Sequence, residues 1–524
     1  MSVPTASLQE PTVLREQEAR DLKGKTIRGV LASGVTQGLA FVLRTGSMII
    51  MSRLLFPQDF GLFGMVIAFT GFLGLFRDFG LSIASVTRPS ITNDQLSTLF
   101  WLNVAVGSIL AATSAAAGPF LVTFYDEPRL LPITIAVGIG FLFIGAGAQH
   151  RAILQRAMRF GTLGVIDTAA LVLGIVGGIG MAAFGQGVWA LVVMTVGPQM
   201  VSAAGAWFAT RWIPGRPKRG TDVRSMLWYG GSVTFNSVIV YVAYNADKVL
   251  VGRFFGAEAL GIYGRAFQLI NLPTDNLTAS VSQVVFPALA RLQNDPARLR
   301  SYFLQGYNLL FALVLPLIVG CALFPEDIVR VFLGARWLEA ASIFRLLAPT
   351  VLVFALINPL GWMLMTTGRM SRSVKLAILI APTVIAGYTF GLRYGPEGVA
   401  FGFSAAMVLL TGPFVVWATH GTPISLLDMV KAVSPPSLSI VVGAAVVASL
   451  SRYTQSIEPA FLRLVVETGL LFGTYSVMLL FALNQRSNYM KILGELGFRR
   501  ARSQQVQGVS PDGLVEKVAV TPTR

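Results

Sequence analysis

The chain has 524 residues, 54% of them hydrophobic and only 13% charged, and carries a formal net charge of +16. Its mean hydropathy is +0.66, whereas soluble domains carry roughly 25% charged residues, so a soluble multidomain protein is excluded. Apolar stretches of about 20 residues recur along the whole length and predict membrane-spanning helices. In a bilayer the positive excess belongs to cytoplasmic loops and juxtamembrane ends rather than to nucleic-acid binding. Cys321 is the one cysteine, and His150 and His420 are the two histidines. No intrachain disulfide, thiolate cluster or histidine metal site is therefore expected, and no cofactor.

Residues 1–26 are polar and mixed in charge (Glu10, Arg15, Lys23, Lys25) and lack an apolar core. They read as a cytoplasmic tail, not a signal peptide. An N-terminal half of six spans follows over 27–208: Ile27–Arg53, Phe60–Ile83, Leu96–Val122, Leu131–Ala148, Gly161–Phe184 and Val188–Phe208. A basic cytoplasmic linker, 209–225, holds Pro214 and Pro217. The second half, 226–419, repeats six spans: Met226–Val251, Leu260–Leu289, Phe303–Phe324, Ile343–Met365, Val374–Gly391 and Val399–Thr419. An additional helix pair within 420–484, drawn at Leu438–Leu450 (short as drawn and expected to extend further) and Phe461–Leu483, brings the total to about fourteen, and 485–524 is a basic cytoplasmic tail.

Loop charge tests the span count. One set of alternate loops is rich in Lys and Arg, including Arg151, Arg156 and Arg159, then Arg216, Lys218 and Arg219, then Arg369, Arg372 and Lys375. The other set is short and acidic or neutral, as at Asp126-Glu127-Pro128 and Glu326-Asp327. Positive loops stay inside, which predicts cytoplasmic termini.

The halves are related by an internal repeat. Ser52–Gly64 (SRLLFPQDFGLFG) re-reads at Gly252–Gly264 (GRFFGAEALGIYG), a constant offset of 252 − 52 = 200, and Arg53, Gly61 and Gly64 recur as Arg253, Gly261 and Gly264. Matching spans are six apart, so the halves enter the membrane in the same direction. The expected fold is all-α, with two parallel-related six-helix halves around a central cavity. The turn reads as a structural gate element at the periplasmic rim, its glycines letting helices one and two, and seven and eight, pack closely.

No loop is long enough for a domain of about 50 residues, so function sits among the helices. A charge inside the bilayer costs at least a few kcal/mol and marks a candidate site. The candidates for binding substrate are Arg44, Lys248, Arg265 and Arg345; for ion coupling, Asp167, Asp247 and Asp275; and for polar cavity lining, Asn245 and Asn276. Arg44 sits at the offset-200 position of Tyr244, so one helix position is cationic in one half and polar in the other. Arg77, Asp78, Arg345 and Glu467 lie near helix ends, where snorkelling or a structural pair explains them equally well. Asp247 and Lys248 are adjacent and point about 100° apart on a helix, so each needs a different partner. Pro273, just before Asp275, marks a bend. No Walker motif, Asp-x-Asp pair or loop domain is present, so no enzyme activity is expected.

Several of these segments resemble a known family. Asn245-Ala246-Asp247-Lys248-Val249-Leu250-Val251-Gly252-Arg253, Gly261-Ile262-Tyr263 and Asn271-Leu272-Pro273 belong to the resemblance, as does Asp78-Phe79-Gly80-Leu81-Ser82 in the first half. In order and spacing they are similar to Wzx-type polysaccharide and O-antigen flippases of the multidrug/oligosaccharidyl-lipid/polysaccharide superfamily. The colanic-acid and succinoglycan exporter branch is nearest, and the resemblance spans Lys25 to Asn484. It implies a multi-pass protein of the bacterial inner membrane that moves undecaprenyl-diphosphate-linked oligosaccharide to the periplasmic leaflet by ion-driven alternating access. The lipid bilayer, a polysaccharide polymerase and export machinery would be its partners. A diphosphate needs cations such as Arg44 and Arg265, and a buried Asp167, Asp247 or Asp275 could carry a coupling proton. A peptidoglycan-precursor flippase and a cation-coupled drug antiporter remain open on the same fold. A polymerase or ligase would need a larger loop than Phe324–Ser342.

Overall fold

The computed structural model describes residues 37–77, 91–218, 224–487 and 489–490. Every regular element among them is helical. In chain order these are α1 (37–54), α2 (Pro57–Gly74), α3 (Asn93–Tyr125), α4 (Leu130–Arg156), α5 (Phe160–Ala183) and α6 (Val188–Thr210). A continuous stretch, Arg224–Leu292, is divided at Gly256 into α7 (224–255) and α8 (257–292). Then come α9 (Pro296–Leu323), α10 (Pro325–Phe332), α11 (Ala340–Thr366), α12 (Met370–Gly391), α13 (Gly395–Thr419), α14 (Leu426–Thr454) and α15 (Ala460–Val477). Each of the fourteen expected spans coincides with one of these helices in its described part.

Local chemistry sets the helix ends. Pro57 opens α2 at a position whose N–H would have no intrahelical partner, and Asp59 Oδ2 accepts from the Phe56 N–H at 3.1 Å. Thr92 and Gln95 form a reciprocal capping box on α3. Gly256 alone separates α7 from α8, at φ 81° and ψ −175°, a backbone region reserved for glycine.

One span runs longer than drawn, as expected, and one expectation changes. The span drawn at Leu438–Leu450 belongs to the longer α14, which starts at a Ser425–Asp428 cap and carries Pro435 and Pro436 in its interior. Lys431 and the paired prolines look like a boundary in sequence, but the cap lies further back. Between α9 and α11 the chain does not simply loop. It forms α10 and a short 3-10 turn, Ala335–Trp337.

Among the described residues nine helical segments are long and apolar enough to cross a membrane. The described parts of α1, α2, α7 and α8 are not among the nine.

The chain divides into two compact units that cut across the sequence halves. The first comprises Met1–Asn276, Cys321–Phe354 and Gly368–Phe414. Within it α2 and α8 cross at the repeated glycines. A Cβ at Gly61 would meet the backbone of Ala257, and one at Gly261 the backbone of Pro57. The contact is reciprocal, residue 61 on 257 and residue 261 on 57, as an internal two-fold requires. The expected pairing of helices one–two and seven–eight is thereby corrected. The glycines bring the second helix of each half against the other, because a residue without a side chain lets two backbones approach closely.

The linker of this unit is strapped to α3. Trp101 Nε1 donates to the Gly215 carbonyl at 2.8 Å, Gly215 N–H donates to Ser97 Oγ at 3.0 Å, and Lys218 Nζ meets Asp94 Oδ2 at 2.8 Å.

The second unit comprises Leu277–Gly320, Ala355–Thr367 and Val415–Arg524. Here α15 packs on α9, with Tyr475 Oη donating to the Ala312 carbonyl at 2.8 Å. Glu467, fully enclosed between α14 and α15, accepts from Thr454 Oγ1 at 2.6 Å.

Candidate functional site

Within the first unit α1, α2, α5, α6, α7 and α8 enclose a cavity of about 520 Å³. Four pairs of repeat-equivalent positions line it together: Met48 and Lys248, Phe60 and Leu260, Gly64 and Gly264, Ala68 and Gln268. The cavity therefore lies on the internal two-fold. Arg44, Asn245 and Arg265 complete its polar lining with Ser47 and Thr195, while Met51, Ile175 and Met194 supply apolar wall. A second chamber of about 560 Å³ adjoins it, sharing Arg44, Met48, Lys248, Gly264 and Gln268. Amides, a hydroxyl and ring faces line this chamber: Gln37, Thr45, Asn271, Phe41 and Phe267.

Three cations thus face one space, and among the described residues no carboxylate lines either chamber. Arg265 is only 6% exposed. Its Nη1 donates to Gln268 Oε1 at 2.7 Å, its Cζ sits 3.6 Å from the Phe60 ring centroid, and its Nε has no partner. Lys248 Nζ donates to Asn245 Oδ1 at 2.8 Å and lies 5.4 Å from the Phe267 centroid. Burying a cation without a counter-ion costs on the order of several kcal/mol. Ring faces and amides return part of that, and an anion would return the rest.

The other candidates lie elsewhere. Asp247 points away from Lys248, as the helical angle requires. It is fully buried, accepts from Tyr263 Oη at 2.9 Å and leaves Oδ1 unpartnered. Asp167 is held by both terminal nitrogens of Arg151, at 2.6 and 3.0 Å, at a partly exposed site outside the cavity lining. Arg345 pairs with Glu326 at 3.0 Å, about half exposed, and does not line the cavity. Asp78 and the side chains of Asp275 and Asn276 lie outside the described residues. Sequence reasoning missed Gln268, Gln37, Asn271 and Phe60. The offset of 200 applied to every lining position would have reached Gln268 from Ala68, and a cation–ring pairing such as Phe60 with Arg265 has no sequence signature.

Fold and site together define a polytopic all-helical membrane protein with a cationic cavity on an internal two-fold. Residues 50–342, more than half of the chain, match the family described as polysaccharide biosynthesis protein, and the chain belongs to that family. It is 26% identical over 400 residues to the lipopolysaccharide biosynthesis protein WzxC of Escherichia coli, covering 74% of this chain and 80% of that one. It is 22% identical over 484 residues to the succinoglycan biosynthesis transport protein ExoT of Rhizobium meliloti, covering 90% and 95%. Among solved structures it shares the fold of the lipid II flippase MurJ in an inward closed conformation, with a TM-score of 0.69 at 15% identity over 87% of this chain and 99% of that one. An inward-facing multidrug resistance transporter of the MOP superfamily aligns with a TM-score of 0.58 at 14% identity, over 77% and 98%.

Proposed function

We propose that the protein flips a lipid-linked oligosaccharide, carried on undecaprenyl diphosphate, from the cytoplasmic to the periplasmic leaflet of the bacterial inner membrane. The pathway served is exopolysaccharide or lipopolysaccharide biosynthesis. The observation that carries this reading is a two-fold cavity with three cations and no carboxylate among its described lining residues. A diphosphate is the lipid-borne group whose charge such a cavity compensates, and guanidinium groups bind it through paired N–H donors. Arg44 and Lys248, shared by both chambers, hold the diphosphate together with Arg265 of the first. The amide- and ring-lined chamber receives sugar hydroxyls and ring faces.

A cationic drug would meet three uncompensated positive charges here, which disfavours the antiporter reading. A peptidoglycan precursor also carries a diphosphate; membership of the polysaccharide family favours the exporter. Alternation of loop charge puts both termini in the cytoplasm and the Ser52–Gly64 turn at the periplasmic side. An ion gradient drives the cycle, with buried Asp247 as the coupling carboxyl. Polymerase and export machinery then consume the product.

The test is polymer export by cells carrying Arg44→Gln with Lys248→Gln, at normal levels of the protein in the membrane. Loss of export with lipid-linked precursor retained on the cytoplasmic leaflet is expected. Full export would remove the cavity cations from the mechanism and the reading with them.

A further inference from the structure

We propose that Phe60 is a positioning residue that couples an anion bound at Arg265 to release of the turn end of the cavity. The inference rests on the anionic-cargo reading and assigns a residue that reading does not use.

Four residues form a continuous stack. Arg265 Cζ lies 3.6 Å from the centroid of the Phe60 ring. Phe60 meets Trp337 edge-on, with centroids 5.4 Å apart and planes at 64°. Trp337 is fully buried, and its Nε1 donates to the Ser52 carbonyl at 2.7 Å. Arg53 beside it donates through Nη2 to the Val331 carbonyl at 3.1 Å. The chain of contact therefore runs from a cavity cation to the turn that closes α1 onto α2. It also crosses the repeat: the cation comes from the second copy, and the ring beneath it from the first. At the equivalent positions stand Leu260 and Met65, neither aromatic nor charged. The second copy has no such stack.

Arg265 keeps donor capacity for an anion without leaving the ring, because its buried Nε–H has no hydrogen-bond partner. The attraction between guanidinium and ring face depends on the net positive charge above the ring. Pairing with an anion neutralises that charge while leaving the geometry in place. The attraction that fixes the Phe60 ring weakens, the edge contact that seats Trp337 loosens with it, and the Trp337 hydrogen bond to Ser52 opens more easily. An empty cavity keeps the turn locked and a loaded one frees it, which prevents cycling without cargo.

The test uses the full-length protein with Cys321→Ser and a reporter, Ser52→Cys, at a buried position next to the Trp337 bond. Farnesyl diphosphate is the probe and farnesol its uncharged control. Binding is read by thermal shift, and turn release by the rate of maleimide labelling at position 52. Farnesyl diphosphate, and not farnesol, is expected to accelerate labelling about tenfold, the weight of one desolvated cation–ring contact. Adding Phe60→Leu should make labelling fast and indifferent to farnesyl diphosphate at concentrations where thermal shift shows the probe bound. Phe60→Tyr, which restores a ring, should restore the response. A Phe60→Leu protein that still responds as the parent does overturns the proposal, as does a parent that binds the probe without any labelling change. A parent that does not bind farnesyl diphosphate overturns the anionic-cargo reading itself, and the coupling falls with it.

Discussion

The two copies of the repeated turn share a backbone and differ in chemistry. Gly61 and Gly261 make the same contact in opposite directions, each against the first turn of the other copy's helix. At each turn the end of another helical segment seals the chain: Trp337 under Ser52, and Tyr125, buried at the end of α3, against Gly252. Around the cavity the symmetry stops. Met48, Met65 and Ala68 in the first copy correspond to Lys248, Arg265 and Gln268 in the second. Arg44 answers Tyr244. Duplication supplies a hinge-like frame of equal halves, and divergence of a few lining positions converts the shared space into a site for charge.

Changes that make the copies more alike, or less, test this contrast. The largest effect is expected at the seals. Trp337→Ala should lower the thermal unfolding midpoint by an amount corresponding to about 3–5 kcal/mol, the cost of emptying a fully buried aromatic site, whereas Tyr125→Phe keeps its ring and should be nearly neutral. An equal loss from both would mean that packing alone does not hold the seals.

Next come the cations. Lys248→Met and Arg265→Met copy the first repeat's residues into the second, and each should weaken farnesyl diphosphate binding by about 1.5–3 kcal/mol, tenfold or more in Kd. Because an uncompensated charge is removed, the unfolding midpoint should hold or rise. Unchanged binding in both would make the asymmetry incidental.

The glycine contact follows. Gly61→Ala and Gly261→Ala each drive a methyl group into backbone and should cost about 1–3 kcal/mol, while Gly264→Ala, with nothing within 4 Å of its Cβ, should be tolerated in the same melting experiment. Unequal costs at 61 and 261 would break the two-fold.

The smallest effect lies in the turn between α3 and α4. The hydrogen bond from Arg129 holds the Glu127 carboxyl below the usual range. A depressed carboxylate stabilises the fold above its unfolded value of about 4.3 and loses that contribution as pH falls through its lower folded value. Glu127→Gln should therefore cost about 0.5 kcal/mol at neutral pH, limited by solvent screening, and nothing once the pH is below the folded value. Melting curves of the two proteins across pH check the convergence.

Much of the fold was legible because a bilayer leaves few options: backbone groups must be satisfied within helices, so each span announces itself by length and hydropathy. The site was legible in part. Arg44, Lys248 and Arg265 stand out because a charge in a membrane helix is costly and needs a reason. Arg345 and Asp167 stand out equally, yet they are paired with Glu326 and Arg151 outside the cavity lining. Whether a charge has a partner depends on which helices pack together, and a single sequence does not contain that. The placement of Trp337 under Ser52, across 285 positions of the chain, is invisible for the same reason.

The sequence by itself determined the membrane class, the span order, the duplication and the cationic residues, since these follow from local composition and from comparing the chain with itself. Tertiary structure alone decided that the repeated glycines join α2 to α8 and that three of the cations share one space. It also placed the ring of one copy beneath the guanidinium of the other. Contacts between helices distant in sequence are fixed by close packing of shapes, and packing is a property of the assembled bundle.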